Sequence, residues 1–199
     1  MSIQKLRQSM RACREAITPY KQDIAAINIA QNIRATAIYQ QSRHVAVYCA
    51  IGGEINLQPL IEAAWADGKQ CYLPVVQGNN MTFARYCEDT EVISNVFGIN
   101  EPVSARVVIT AADLELVLTP LVAFDRKANR LGMGGGYYDR AFSFLVPPSD
   151  GVGNGCRKGH WPTLMGVAHA CQEVDLLHPE LWDVPLDCVV TDQDIHTCV

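Results

Sequence analysis

The chain has 199 residues, of which 49% are hydrophobic and 19% are charged, and its formal net charge is −5. These values are typical of one globular domain with a sizeable core, and they exclude a disordered tail, a collagen-like chain and a long coiled coil. No apolar run reaches the ~20 residues of a membrane-spanning helix, and the basic, amphipathic first twenty residues do not resemble a signal peptide. We therefore expect a soluble, cytoplasmic protein with no membrane partner.

The charges are unevenly distributed along the chain. Residues 1–43 hold seven Lys and Arg against two acids, whereas no Lys or Arg follows Lys158. An acidic chain lacks the broad cationic face that nucleic-acid binding needs, so we expect no nucleic-acid partner. The basic start can still serve one compact anion, such as a nucleotide phosphate or a polyglutamate tail.

Eight cysteines are scattered through the sequence without a C-x-x-C pair. This spacing does not suit a zinc site or a redox motif. A disulfide framework is not expected either in a cytoplasmic protein. We expect most of the eight to be small, buried apolar side chains.

The N-terminal pattern predicts a pair of helices over residues 1–40, packed on a sheet. Apolar residues recur there at spacings of three and four, which is typical of one helical stripe: Ile3, Leu6, Met10, Cys13 and Ile17. A neighbouring face carries Arg7, Arg11 and Arg14. Thr18 and Pro19 predict the N-cap and first residue of a second helix, which runs to about Thr36.

From residue 44 onward, the pattern predicts a mostly parallel sheet. Apolar, β-rich runs predict strands over 44–51 and 70–76, with a helix between them that ends at Gly68, and this order is typical of a parallel βαβ unit. Further extended segments are predicted at 81–87, 99–103, 114–120, 163–169 and 187–191. A loop over 121–135, a helix from Gly136 to Leu145 and a surface loop over 147–162 complete the chain. We expect a single three-layer α/β/α domain over residues 1–199.

The segment 130–140, RLGMGGGYYDR, holds four glycines in five positions. Glycine reaches φ > 0 and lets the backbone approach a ligand closely. Backbone amides at the start of the predicted helix, flanked by Arg130 and Arg140, are suited to bind an anion. The segment matches neither the P-loop nor the G-x-G-x-x-G motif, and a turn that serves only tight packing is the alternative.

The longer stretch 120–140, PLVAFDRKANRLGMGGGYYDR, resembles the signature of the 5-formyltetrahydrofolate cyclo-ligase (methenyltetrahydrofolate synthetase) family. Weaker matches follow the family's order along the chain, at 53–76, 81–83, 101–102, 166–172 and 182–192. The resemblance implies a fold similar to those of ribose-5-phosphate isomerase and the CoA transferases. It also implies an enzyme that uses ATP and Mg²⁺ to convert 5-formyltetrahydrofolate to 5,10-methenyltetrahydrofolate, ADP and phosphate through a phosphorylated formyl intermediate.

The resemblance further implies a set of site residues. ATP would be bound by Arg7, Arg130, Leu131, Gly132, Met133, Gly134, Gly135, Gly136, Tyr137 and Tyr138, with catalytic roles for Arg130 and Tyr137. The folate would be bound by Cys49, Glu54, Phe97, Met133, Gly134, Gly135, Gly136 and Tyr137. Mg²⁺, which prefers hard oxygen ligands, would be bound by Asp139 and Asp183. The implied partner is the small-molecule folate, with or without a polyglutamate tail, and the expected state is a monomer.

Structural roles are the alternative for several of these residues. Asp139 would be an ordinary acid at the start of a helix, Asp183 a solvated loop acid, and Cys49 a core side chain. The family's N-terminal K-x-x-L-R motif is incomplete, because its lysine position is Ile3 and the nearest lysine is Lys5. Only the arginine of that motif is therefore carried over with its role.

Two other functions compete with the cyclo-ligase. One is a non-catalytic sensor module that holds a sugar phosphate or a nucleotide at the glycine-rich segment. The other is a CoA-transferase-like enzyme, in which Glu54 would be the catalytic glutamate and the signature at 130–140 would have no role.

Overall fold

The N-terminal region folds into three helices rather than the predicted two. They are α1 (Ile3–Glu15), α2 (Pro19–Ala35) and α3 (Ala37–Gln41) in a computed structural model that describes residues 2–94, 98, 100–103, 107–146 and 162–197. Pro19 starts α2 as predicted, since its fixed φ suits the first helical position. Thr36 then ends α2 and caps α3, because its hydroxyl accepts a hydrogen bond from the Tyr39 amide at 3.3 Å.

The strands of the described residues are, in chain order, β1 (His44–Ala46), β2 (Gln70–Gln77), β3 (Asn80–Tyr86), β4 (Val92–Ser94), β5 (Asn100–Pro102), β6 (Val108–Ile109), β7 (Leu116–Pro120), β8 (Ala123–Phe124), β9 (Arg130–Leu131), β10 (Thr163–Ala168), β11 (Cys188–Thr191) and β12 (Ile195–Thr197). Eight of them form one sheet in the order β12-β11-β10-β7-β1-β2-β3-β6. The central strands from β11 to β2 run parallel, and β12, β3 and β6 are antiparallel to their neighbours. The predicted, mostly parallel sheet is confirmed.

Helical layers cover both faces of this sheet. Successive strand residues point to opposite faces, so Val45 and Val47 pack with α2 and with α4 (Gln58–Ala66), while Ala46 belongs to the core cluster that contains Phe142 and Leu145. The second layer holds α5 (Tyr137–Ala141) and the 3₁₀ turn after it. The three-layer α/β/α prediction is therefore confirmed. Of the N-terminal helices, α2 packs on β11 and α4, whereas α1 packs against a 3₁₀ turn at Ala170–Gln172.

Two predicted elements are shorter than expected. The strand predicted over 44–51 ends at Ala46, because the chain leaves the sheet toward Gly52 and Gly53, whose φ values of 52° and 76° are not those of a strand. The helix predicted over 136–145 begins one residue later, since Gly136 has a φ of 64°, and its last turn is a separate 3₁₀ turn. Because α5 spans only five residues, its dipole adds little to anion binding.

The loop predicted over 121–135 contains the hairpin β8–β9, and Asp125 holds the turn of this hairpin together. The buried Asp125 carboxylate accepts bonds from the Lys127 and Asn129 amides and from the Asn129 side chain, at 2.9–3.0 Å. A fourth bond, from the Leu177 amide at 3.0 Å, ties the turn to a distant loop. The start of the glycine-rich segment is therefore fixed on two sides.

The expectation that most cysteines are buried is wrong for the described residues. Cys71 and Cys188 are buried, Cys49 and Cys87 are half-buried, and Cys13 and Cys171 are exposed, all six as free thiols. Cys156 and Cys198 lie outside the described residues, as does the predicted surface loop up to residue 161. Among the described residues, no helix combines the length and the apolarity that crossing a membrane would require.

We expect the substitution Asp125→Ala to lower the free energy of unfolding by about 2–4 kcal/mol, because it leaves four N–H donors without their charged acceptor. Asp113→Ala is the matched control. Within the described part of the chain, the Asp113 carboxylate accepts hydrogen bonds only from the exposed Thr110, so removing this carboxylate should cost about 1 kcal/mol. Urea unfolding of both variants measures the difference. Equal losses would contradict the role given to Asp125.

Candidate active site

A cavity of about 1110 Å³ opens beyond the carboxyl ends of the central strands. Its lining includes Tyr48 and Cys49, which follow β1, and Pro120 and Leu121, at the end of β7. Strands β1 and β7 are neighbours in the sheet. The next strand of this sheet after β1 in the chain is β2, which lies beside β1, and the next after β7 is β10, which lies beside β7 on the other side of the pair. Open α/β sheets leave a crevice at such a switch point, and ligands bind there.

The cavity brings together every predicted site residue that the structure describes. These residues are Arg7, Cys49, Glu54, Arg130, Leu131, Gly132, Met133, Gly134, Gly135, Gly136, Tyr137, Tyr138, Asp139 and Asp183. Phe97 lies outside the described residues. Lys5 is exposed and does not belong to the described lining, whereas Ile3, at the lysine position of the motif, does.

At two positions of the glycine-rich loop, the backbone has a conformation that only glycine adopts without strain. Gly134 and Gly136 have φ values of 104° and 64°. The Arg7 guanidinium lies against this loop, and its Nε donates a hydrogen bond to the Gly132 carbonyl at 2.9 Å. A Cβ at position 134 would lie only 3.5 Å from Arg7 Cζ. The loop and α1 are therefore in direct contact.

Arg130 and Asp139 form an ion pair at the base of this loop, with 2.5 Å between Nη2 and Oδ1. The Asp139 oxygen also accepts a bond from the Val184 amide at 3.2 Å. Arg130 is 6% exposed, and its Nε has no hydrogen-bond partner among the described residues. An unpaired buried donor costs free energy, so a phosphate oxygen in the cavity is a fitting acceptor for this group.

The carboxylates of Asp139 and Asp183 are the candidate ligands for Mg²⁺. One oxygen of each carboxylate accepts a backbone hydrogen bond within the described residues. Asp139 Oδ1 accepts the bond from the Val184 amide, and Asp183 Oδ2 accepts a bond from the Glu180 amide at 2.9 Å. The described residues contain no group of three or more His, Cys, Asp or Glu side chains placed to hold a metal. Mg²⁺ usually takes one or two carboxylates together with phosphate oxygens and waters, so the pair fits this ion only when phosphates supply further ligands.

Glu54 lies in the part of the cavity wall formed by the loop after β1, and its side chain is 7% exposed. Its Oε2 accepts a bond from the Ile51 amide at 3.1 Å, and its Oε1 lies 3.7 Å from Arg14 Nη1. Burial raises the pKa of Glu54 above its ordinary value, although the Ile51 amide and the charges of Arg14 and Arg11 oppose this shift. The protonated carboxyl therefore persists to higher pH than it does in an exposed glutamate.

Comparison with known proteins identifies the family. A family model described as the 5-formyltetrahydrofolate cyclo-ligase family matches residues 1–192. The chain belongs to this family. It is 37% identical over 187 residues to 5-formyltetrahydrofolate cyclo-ligase of Haemophilus influenzae, which covers 92% of this chain and 94% of the relative. It is 36% identical over 191 residues to the Escherichia coli K12 protein of the same name, which covers 94% and 98%.

Solved structures agree with the cyclo-ligase family assignment. A 5,10-methenyltetrahydrofolate synthetase from Aquifex aeolicus superposes with a TM-score of 0.81 at 28% identity, covering all of this chain and 93% of the other. A synthetase from Mycoplasma pneumoniae, at 22% identity, shows the same fold with a TM-score of 0.71 over 96% and 99% of the two chains. The predicted α/β fold and the prediction of an enzyme of the cyclo-ligase family are confirmed.

The tyrosines of the cyclo-ligase cavity differ in their surroundings. The Tyr138 ring stacks on Phe142 with 6.2 Å between centroids, whereas the Tyr137 ring lies under the guanidinium of Arg140 at 4.9 Å. Burial raises the pKa of Tyr138 and that of Tyr48, so both phenols are neutral near pH 7. Burial also raises the pKa of Cys49, which disfavours the thiolate and therefore a nucleophilic role.

Arg14 is a residue of the site region whose burial the sequence pattern did not predict. Periodicity placed it on a charged helix face beside Arg7, yet it is 1% exposed. Its Nε donates to the Gly52 carbonyl at 2.8 Å and its Nη1 to the Leu121 carbonyl at 3.3 Å. Its spacing of seven residues from Arg7, which puts the two on one side of α1, is the signal that could have found it.

We expect Gly136→Ala to lower the free energy of unfolding by about 1–2 kcal/mol, because alanine is strained at a φ of 64° and its Cβ would lie 2.8 Å from Arg140 Nη1. Gly132→Ala is the matched control in the same loop, since its φ is not positive and a Cβ there meets nothing within 4 Å. Urea unfolding compares the two. A larger loss for Gly132→Ala would show that the loop adopts another conformation.

Proposed function

We propose that the protein closes 5-formyltetrahydrofolate to 5,10-methenyltetrahydrofolate at the expense of ATP and with Mg²⁺, releasing ADP and phosphate. One observation carries this proposal: a single cavity joins a glycine-rich loop with an incompletely paired arginine, whose side chain is buried, to a buried carboxylate on the wall formed by the loop after β1. The glycine-rich loop and its arginine suit a polyphosphate, and the carboxylate suits the N–H donors of a pterin ring. Family membership supports the same reaction.

The chemistry of the substrate explains why a nucleotide is needed. The formyl carbon is a poor electrophile, because the ring nitrogen donates electrons into the carbonyl, and the carbonyl oxygen is a poor leaving group. In the proposed reaction, the formyl oxygen accepts the γ-phosphoryl group and ADP leaves. The neighbouring aniline nitrogen then attacks the activated carbon and loses its proton, and the C–O bond breaks to release phosphate.

The residues around the glycine-rich loop would position the phosphates. Such a transfer needs alignment and neutralisation of charge rather than a covalent nucleophile. We propose that Arg130 and the loop amides stabilise the moving phosphoryl group, with Arg7 and Tyr137 beside it. Asp139 and Asp183 would hold Mg²⁺, which would neutralise phosphate charge when bound. Because Arg130 already pairs with Asp139, the cation and the anion of the site are oriented before any ligand enters.

The folate would occupy the side of the cavity near β1. The ionised Glu54 carboxylate would accept hydrogen bonds from the donor edge of the pterin, and Cys49 and Met133 would supply apolar contacts. The loop glycines and Tyr137 lie between the two ligands in this arrangement, while Phe97 stays a prediction. We also expect the enzyme to be a monomer and to accept folates with or without a polyglutamate tail.

The proposal is tested by mixing the purified protein with 5-formyltetrahydrofolate and MgATP and following methenyl absorbance and ADP together. We expect equal amounts of both products, no reaction without nucleotide, and loss of turnover when a chelator removes Mg²⁺. Binding of nucleotide without any turnover would instead favour the non-catalytic sensor. Transfer of CoA between acids, with no need for ATP, would favour the CoA-transferase-like function.

We expect Arg130→Ala to lower kcat at least tenfold, which corresponds to ~1.4 kcal/mol of activation free energy, because the phosphoryl group loses its neutralising partner. The matched control is Arg126→Ala. Arg126 also forms an ion pair at 2.7 Å, with Glu173, but its side chain is 82% exposed and lies outside the described cavity lining. Steady-state kinetics should give the control a normal kcat. A normal kcat in Arg130→Ala would mean that the phosphates bind elsewhere.

A further inference from the structure

A buried arginine on α1 links two loops at the edge of the folate side of the cavity. Arg14 donates hydrogen bonds to the carbonyls of Gly52 and Leu121, and it lies 3.7 Å from the carboxylate of Glu54. These partners follow β1 and β7, the two strands at the switch point. The predicted chemistry uses none of these contacts, so they require a separate explanation.

The turn that precedes Glu54 is built to receive this arginine. Gly53 has a φ of 76°, and a Cβ there would lie 3.3 Å from both the Cγ and the carbonyl oxygen of Arg14. From the other side, His169 Nε2 lies 3.3 Å from the Gly53 carbonyl. The turn is thus held between α1 and the end of β10, and only glycine permits so close an approach.

We propose that Arg14 is a positioning residue for folate binding, which holds the Glu54 carboxylate and the Gly52–Gly53 turn in place from α1. This inference rests on the proposed function for the role of Glu54. Arg14 is only 1% exposed and does not belong to the described lining of the cavity. It would therefore act through Glu54 and not by touching the substrate.

Among the charged groups around Glu54, Arg14 lowers the pKa of the carboxyl most, and the uncharged Ile51 amide lowers it further. From α1, Arg14 forms the ion pair and Arg11 adds a second positive charge; the neutral phenols of Tyr48 and Tyr138 face the carboxyl from two other elements. Burial works against ionisation of Glu54. Without Arg14, the pKa of Glu54 would therefore rise further, and less of the carboxylate would be ionised at a given pH.

The same helix also contacts the nucleotide side of the cavity. Arg7 reaches the Gly132 carbonyl, two residues before Gly134, where the positive-φ part of the glycine-rich loop begins. Arg7 and Arg14 are two helical turns apart, so both point from one side of α1 toward the cavity edge. A change at Arg14 that merely displaces α1 would disturb both ligands, whereas a change that acts through Glu54 would disturb the folate alone.

The test compares Arg14→Met with Arg14→Lys in steady-state kinetics from pH 5 to pH 8. We expect Arg14→Met to raise the folate KM about tenfold, or ~1.4 kcal/mol, with the MgATP KM changed less than about twofold. Folate binding should strengthen as Glu54 ionises. Because Arg14→Met raises the pKa of Glu54, the acid limb of the pH profile of kcat/KM for folate should move to higher pH in this variant. Arg14→Lys keeps the charge but not the planar fork, so it should raise the folate KM about threefold and leave the limb unmoved.

Two controls separate this role from a general loss of structure. Arg34→Met removes an arginine that forms a partly exposed ion pair with Asp67, and it should leave both KM values and the acid limb unchanged. The substitution Glu54→Gln should itself raise the folate KM. In that background, Arg14→Met should change the folate KM little further and should not move the acid limb of kcat/KM for folate. Circular dichroism and urea unfolding establish that each variant is folded.

Several outcomes would overturn the inference. They are an unchanged folate KM in Arg14→Lys, equal increases of both KM values, an unmoved acid limb in folded Arg14→Met, or full additivity with Glu54→Gln. If Arg14→Met does not fold, the selective rise of the folate KM in Arg14→Lys decides. A wild-type protein that does not turn over 5-formyltetrahydrofolate with MgATP would refute the proposed function instead, so the two failures are distinguishable.

Discussion

The burial of a single positive charge, at Arg14, constrains the whole cavity edge. A guanidinium removed from water costs several kcal/mol unless acceptors and a counter-ion replace its hydration. Here the acceptors are two backbone carbonyls and the counter-ion is Glu54. Because these groups come from loops after different strands, the charge is compensated only when α1, the glycine turn and the end of β7 are all in place.

A second, partly buried ion pair organises the wall formed by the glycine-rich loop. Arg130 and Asp139 are held together by their charges, by the Val184 amide and by the Tyr138 ring, whose centroid lies 5.5 Å from Arg130 Cζ. Each wall thus contains a fixed charge pair before ligands arrive. Preorganised charges of this kind are effective in a reaction that needs alignment and neutralisation, because little reorganisation remains when the substrate reacts.

Local patterns in the sequence were sufficient to predict the central elements. The apolar runs of β2, β7, β10 and β11 and the proline that starts α2 gave their positions to within a few residues. The same patterns could not predict β8 and β9, since two-residue strands have no period and depend on the bonds of Asp125. The strand over 44–51 was overestimated, because its apolar residues 47–49 line the core and the cavity without lying in a strand.

The family resemblance predicts site residues that line one cavity, but the sequence cannot supply the pairing among them. Asp139 was assigned to a metal and Arg130 to phosphate, and only the folded chain shows that the two also bind each other. The pattern places Arg14 on the helix face beside the apolar stripe but does not predict its burial, because helical periodicity distinguishes faces and cannot tell which face another part of the chain covers. Its partners lie 38 and 107 residues away, beyond the range of any local pattern.

These separations have a consequence for biosynthesis. When α1 leaves the ribosome, neither the Leu121 carbonyl nor the Gly132 carbonyl has been made, and at typical elongation rates more than 100 further residues take about 5–20 s. During that interval Arg7 lacks its carbonyl partner, and Arg14 has only Gly52 and Glu54 available to it. The native contacts of α1 can therefore be completed only after the middle of the polypeptide has been made.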